Sequence, residues 1–173
     1  DSDFLRDVVK FYDLAAETLL SCDKPTMQSM PEFFVDDICE ILTHTVRAAP
    51  DVLKGLSLGN IFNLVVLLLS EEHAKTIRNY NLRARLGNIL FNVFLPSESK
   101  REDEGGYSGY SDDVPYSVCC DPSNGSPFLL SSKSAQETLA PSLLLLYGQV
   151  EHTGPYDKQG YRSNICSLLR YLW

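Results

Sequence analysis

The stretch Phe4–Leu20, FLRDVVKFYDLAAETLL, decides the fold class. Phe4, Val8, Phe11, Ala15 and Leu19 recur at three- and four-residue steps, and Leu5, Tyr12, Ala16 and Leu20 widen the same stripe. That period lines one face of an α-helix, whereas a half-buried strand would alternate at every second residue. Asp3 stands as the N-cap, and Cys22-Asp-Lys-Pro25 ends the helix, since proline donates no hydrogen bond and clashes in a helix interior.

The same reading extends outward along the chain. Pro31 occupies the favoured first position of a second helix, with acidic Glu32 in its first turn, and Phe34, Ile38, Ile41 and Leu42 supply the buried face up to Pro50. Ser57 caps a third helix in which Ile61–Leu69, IFNLVVLLL, is apolar almost all round; such a helix is packed on several sides. A fourth begins at Asn79 or Asn81 and runs to Leu95, stopped by Pro96. Gly87 inside it costs about 1 kcal/mol relative to alanine, which points to a close helix contact. Farther on, Ser134-Ala-Gln-Glu137 matches a capping box, and Pro141 marks the first turn of a main helix, Leu143 to Val150, ending at Gly154 in the C′ role. A last helix opens near Asp157 and presents Tyr161, Ile165, Leu168, Leu169 and Leu172. No pair of segments reads as strands, and no fixed-period repeat emerges. The expected fold is all-α, an armadillo-like stack of antiparallel helices with one long acidic loop.

That loop is residues 97–133. Glu98, Glu102, Asp103, Glu104, Asp112 and Asp113 meet only Lys100 and Arg101, amid Gly, Ser and Pro, so the segment reads as a flexible acidic insertion. Val118-Cys-Cys and Phe128-Leu-Leu are its two apolar patches able to dock on the core. The remainder reads as a single helical domain over 1–173. With Asp1 in place of a methionine and an apolar Trp173 at the end, it is expected to be a fragment of a larger protein.

Charge and composition narrow the function. A chain of 173 residues that is 44% hydrophobic and 22% charged can bury a real core. Its net charge of −8 opposes nucleic acid and anionic membrane surfaces as partners, because the fifteen Lys and Arg are scattered. The longest apolar run, Leu64–Leu69, is far too short to span a bilayer. Cys22, Cys39, Cys119, Cys120 and Cys166 form an odd set without paired spacing, with Cys39 and Cys166 on apolar helical positions. This usage fits a reducing compartment, cytoplasmic and also nuclear.

No catalytic constellation emerges. His44, His73 and His152 are far apart, and the closest ligand set, Glu151, His152 and Asp157, reads as a helix C-terminus with the imidazole near the negative dipole end. Cys119-Cys120 lies among carboxylates, which raise a thiol pKa, so these read as plain loop cysteines and not as a thioester nucleophile. Asp36-Asp37 and Glu71-Glu72 are sequence neighbours that do not share a helix face, and read as solvated charges. Phosphate loops and nucleophile elbows are missing from the sequence. The expectation is no catalytic, cofactor-binding or metal residue in this chain, with the partner-binding residues unassigned.

Several stretches are more specific than helix physics requires. Leu139-Ala-Pro-Ser-Leu-Leu-Leu-Leu-Tyr147, then Val150-Glu-His-Thr-Gly154, Tyr156-Asp-Lys158, Arg162, Ile165 and Tyr171-Leu-Trp173 resemble the C-terminal signature of the ubiquitin-chain elongation factor core. Met30-Pro-Glu-Phe-Phe-Val-Asp-Asp-Ile38 resembles that family's "PEF" helix start, and Ile77-Arg-Asn-Tyr-Asn-Leu-Arg-Ala-Arg-Leu86 its "I-NP-LRAKL" segment, in the family's order. Asp7-Val-Val-Lys-Phe-Tyr12 fits an upstream helix of the same core. The likeness touches nearly all of the chain outside 97–133. Tyr80 stands where the family pattern has proline, and Gly87 interrupts the helix beyond; these departures point to a divergent relative. The nearest type expected is the helical core of the large SPRY–RING E3 ubiquitin ligase, with a U-box elongation factor second.

The resemblance implies a helical scaffold within a RING- or U-box-type ubiquitin-protein ligase. It would position substrate, partner subunit or charged conjugating enzyme, with any zinc held in a separate RING domain. It also implies protein partners: a ubiquitin-conjugating enzyme reached through another domain, a substrate or accessory subunit, and a hexameric unfolding ATPase. The competing expectation is a free-standing armadillo-like adaptor with no ligase activity. The signature residues themselves read mainly as fold determinants: Pro31 and Asn79 as helix starts, Gly154 as a stop, Tyr156, Asp157 and Arg162 as a turn–helix network, and Trp173 as the buried anchor of the last helix.

Overall fold

A computed structural model describes residues 2–96 and 116–173. Among them are eight α-helices: α1 Ser2–Leu20, α2 Lys24–Ser29, α3 Glu32–Ala48, α4 Gly59–Leu69, α5 Tyr80–Ile89, α6 Phe128–Ser131, α7 Lys133–Gln149 and α8 Lys158–Leu172. The described residues contain no strand, only an isolated bridge between Cys120 and Pro127. The all-α expectation holds.

The helices form two layers of three. One runs α1, α4, α7 and the other α3, α5, α8, with α1 on α3, α4 on α5 and α7 on α8 between them. The all-round apolar α4 lies at the middle, where Ile61, Phe62, Leu64, Val65, Val66, Leu68 and Leu69 are all buried. Its composition thus follows from having helices on several sides. Above it, α5 passes directly into a π-helical turn, Leu90–Phe94, with the Leu95 amide bonded to the Leu90 carbonyl at 2.9 Å. The wider turn keeps Val93, Phe94 and Leu95 all inside. Phe94 and Phe62 meet edge to face at 5.1 Å, and Phe128 stacks on Phe62 at 5.2 Å.

Phe128 belongs to the segment expected to be a flexible acidic insertion, and here the expectation is corrected in part. The six carboxylates named above, like all of residues 97–115, lie outside the described residues, while a seventh, Asp121, is described. Residues 116–133, however, form a 3₁₀ turn at Tyr116–Cys119, a turn at 121–126 and then α6. Val118, Cys119, Cys120, Phe128 and Leu129 are buried. The two apolar patches outweigh the polar residues between them because each fills a site on the core. The Cys119 thiol donates to the Val93 carbonyl of the π turn at 3.2 Å.

Local starts and stops differ from expectation at five places, each for a physical reason. Asp3 is not the N-cap of α1 but lies in its first turn, since the helix already starts at Ser2. The stop expected at Cys22–Pro25 holds: α1 ends at Leu20, and Pro25 sits in the first turn of α2, where its missing N–H costs nothing and Asp23 accepts from the Thr26 amide at 3.2 Å. Pro31 is the N-cap of α3 and not its first residue. Ser57 does not cap α4, whose first turn is closed from another helix. Ser132 and not Ser134 caps α7, its Oγ accepting from the Ala135 amide at 3.4 Å, so Pro141 falls inside the helix. Gly154 lacks the left-handed φ of a C′ glycine. Its carbonyl instead accepts from the Asp157 and Lys158 amides, each at 3.2 Å, and starts the next turn.

Candidate functional site

The two most specific signature stretches meet in space. Asn79 caps α5 as its sequence position predicts, with Oδ1 accepting from the Asn81 amide at 2.9 Å and the Leu82 amide at 3.4 Å. Glu32, from the start of α3, accepts from the amides of Arg78 and Asn79. The Met30–Ile38 and Ile77–Leu86 stretches therefore meet at the first turn of α5.

Arg83 is the residue at the centre. It is 1% exposed, a burial not anticipated from the sequence. Nε donates to Gln149 Oε1 at 2.8 Å, Nη1 to the Leu68 carbonyl at 3.1 Å and Nη2 to the Leu69 carbonyl at 3.2 Å. The guanidinium thus closes the C-terminal end of α4, where orphan carbonyls and the negative dipole end favour a cation. Burial lowers its pKa, and the Tyr80 phenol opposes that shift. Of five N–H donors, three are used in these bonds.

Around this centre further contacts link helix to helix. Gly87 is needed because a Cβ there would meet Leu146 Cδ2 of α7 at 2.8 Å. Asn164 donates to Asn88 at 2.9 Å. His152 does not act at a dipole end alone: its ring lies 4.9 Å from the Tyr80 ring. Glu151 pairs with both Lys158 and Arg162, and Arg162 also lies over the Tyr147 ring at 4.9 Å. The expected Tyr156, Asp157 and Arg162 network is therefore corrected, for Glu151 holds Arg162 and Tyr156 is almost fully exposed. Trp173 is corrected too. It is 106% exposed, lying past the end of α8, and Ile165 and Leu168 anchor that helix instead.

The chemical candidates come apart. Among the described residues, no group of three His, Cys, Asp or Glu could hold a metal. Cys119 and Cys120 are buried. Cys39 is a core thiol pushed up to about 12, chiefly by burial. Asp36 is not merely solvated, since Arg85 of α5 pairs with both Asp36 and Glu40 of α3. No helix among the described residues is long and apolar enough to cross a membrane.

The contacts described here join one helix to another within an all-helical chain. The chain belongs to the ubiquitin elongating factor core family, whose model matches residues 1–173. Among curated proteins it is similar to the Probable ubiquitin conjugation factor E4 of Arabidopsis thaliana, 28% identical over all of this chain and 16% of that protein. It is likewise similar to the Ubiquitin conjugation factor E4 of Schizosaccharomyces pombe, 28% identical over 83% of this chain and 12% of that protein. The chain thus spans less than a fifth of the length of these relatives. No solved structure matches it.

Proposed function

We propose that this chain is a helical scaffold within a ubiquitin conjugation factor of the E4 type, a ligase that lengthens ubiquitin chains. The observation that carries the reading is how contacts between helices are made within the matched region: Arg83 to Gln149, Tyr80 to His152 and Gly87 to Leu146 each tie α5 to the segment 146–152. Contacts spent on rigidity suit a part that fixes distance and orientation between other parts, and holding a charged conjugating enzyme near its acceptor is catalysis by proximity. The two layers of three helices support an armadillo-like stack. Both named relatives are E4 factors, which favours that parent over a SPRY–RING ligase. In this reading the conjugating enzyme binds another domain, and substrate, accessory subunits or a hexameric unfolding ATPase are the protein partners, in cytoplasm or nucleus.

The test is chain elongation by the full-length parent, reconstituted with activating enzyme, conjugating enzyme and ubiquitin. Cys119→Ser and Cys120→Ser should leave elongation intact and form no thioester. Arg83→Met, which loosens α5 from α4 and α7, should shorten the chains while leaving discharge of the conjugating enzyme onto free lysine unchanged. A ubiquitin thioester on either cysteine would overturn the scaffold reading. So would full-length chains made by an Arg83→Met protein whose melting temperature has dropped.

The adaptor reading has one observation of its own. Phe4, Phe11 and Leu14 are exposed on α1, with Phe33 exposed on α3. Exposed aromatics of this size are a common feature of protein-binding surfaces.

A further inference from the structure

A cavity of about 260 Å³ opens beside Arg83, lined also by Lys75, Ile77, Arg78, Tyr80 and Gln149. The chain has 23 carboxylates and 15 Lys or Arg, and several cations, among them Lys10, Lys24, Arg85 and Lys158, each lie on an acid. Lys75, Arg78 and Arg83 make no ion pair among the described residues, and all three line this one cavity. The helix end beneath Arg83 supplies only about half an elementary charge. A buried guanidinium balanced to that extent still favours an anion on its open side, and two exposed cations at the mouth add to the attraction.

We infer that this cavity binds a carboxylate side chain of an acidic peptide segment on a protein partner. The donor set lacks the free backbone amides that would favour phosphate over carboxylate. Phosphate sites draw on free backbone amides at a helix N-terminus, but here Glu32 takes those of Arg78 and Asn79, and Asn79 Oδ1 takes those of Asn81 and Leu82. What remains is side-chain cations, among them a guanidinium with N–H groups to spare, whose planar fork matches a carboxylate. Ile77 and the Tyr80 ring give the apolar wall that the methylenes of a glutamate need. The Tyr80 ring, backed by His152, holds that wall in place. This site goes beyond the scaffold reading and stands apart from it, because it concerns what docks on the chain and not what the chain holds together.

The experiment is fluorescence anisotropy with a labelled peptide alternating Glu and Leu, titrated with the intact protein, beside a peptide with Gln in place of Glu. The Glu peptide should bind saturably, the Gln peptide should not, and added salt should weaken the complex. Arg78→Glu and Lys75→Glu change exposed side chains and should each weaken binding about tenfold or more without moving the melting temperature. Lys133→Glu, which alters net charge equally at the far end of α7, should bind as the parent does. Equal loss in Lys133→Glu would show diffuse attraction and overturn the site, as would equal binding of the Gln peptide or no saturable binding up to about 1 mM. Displacement by inorganic phosphate at lower concentration than acetate would overturn the carboxylate assignment.

Discussion

Asp13 on α1 accepts the Ile61 amide of α4 at 3.0 Å, so the first turn of the central helix is capped by a carboxylate 48 residues away. Its second oxygen accepts from Asn60 Nδ2 at 2.9 Å. α4 is too apolar to cap itself: Leu58 stands at its N-cap and offers no acceptor.

Burial pushes the Asp13 carboxyl above its ordinary value, against the hydrogen bonds from Ile61 and Asn60. The folded state therefore binds a proton that the unfolded chain has already lost. Stability should fall as pH rises from about 3.9 through the raised folded value. Asp13→Asn keeps an acceptor and should remove this slope, with neutral-pH stability equal or higher. Asp13→Ala orphans the Ile61 amide and should cost about 1–2 kcal/mol. Urea midpoints of the three proteins across acid pH check both effects.

His73 has the opposite sign. Burial lowers the imidazole pKa, and its Nδ1 sits 3.3 Å from Ser70 Oγ. The unfolded chain takes up a proton first, so stability should be lost as pH falls below about 6.5 toward the depressed folded value. His73→Gln should flatten the melting temperature over that interval. An unchanged slope would show that folding does not depress proton binding at this imidazole.

Gly87→Ala sets helix propensity against overpacking. The propensity gain is about 1 kcal/mol, while the added methyl drives into Leu146, whose methyl group is the atom in the way. Net destabilisation of about 1 kcal/mol is expected. On a Leu146→Ala background the same change should turn stabilising, because the methyl then fills a cavity. Strict additivity in this double-mutant cycle would refute the contact.

Trp173→Ala should leave thermal stability within about 0.5 kcal/mol of the parent, as for an exposed position. Leu168→Ala, in the fully buried row of α8, should cost about 2–5 kcal/mol. Thermal melts of both proteins separate the true anchor from the conspicuous one.

Periodicity made the long helices legible, because the apolar stripes of helices such as α3 and α8 are local properties of the chain; in α1 the expected face is displaced, with Phe4 and Phe11 exposed and Val9 and Ala16 buried. Gly87 was readable for a similar reason: an unfavourable residue kept inside a helix implies a neighbour that demands it. The caps were legible only where donor and acceptor are a few residues apart, as at Asn79. Asp13 and Arg83 look like ordinary surface charges in sequence, since nothing local reveals that the end of another helix will come to rest on them. A run of arginines such as Leu82-Arg-Ala-Arg-Leu86 gives one faint sign, for two charges spaced by one residue cannot both face solvent on a helix packed from several sides. Trp173 was misread because size and hydrophobicity were taken for burial, while the chain had already spent Ile165 and Leu168 on that contact.

Helix ends lent from one element to another have a consequence for how such a chain can vary. Asp13 closes the beginning of α4, Arg83 closes its end, and Glu32 closes the approach to α5. A helical array in which each unit finishes its own ends can gain or lose a unit by duplication or by an alternative splice junction. Between α1 and α5 that freedom is curtailed, since excising α1, the start of α3 or α5 strands a helix terminus in what survives. Natural isoforms of this core should therefore keep the first ninety or so residues as one indivisible cassette and place their length differences elsewhere.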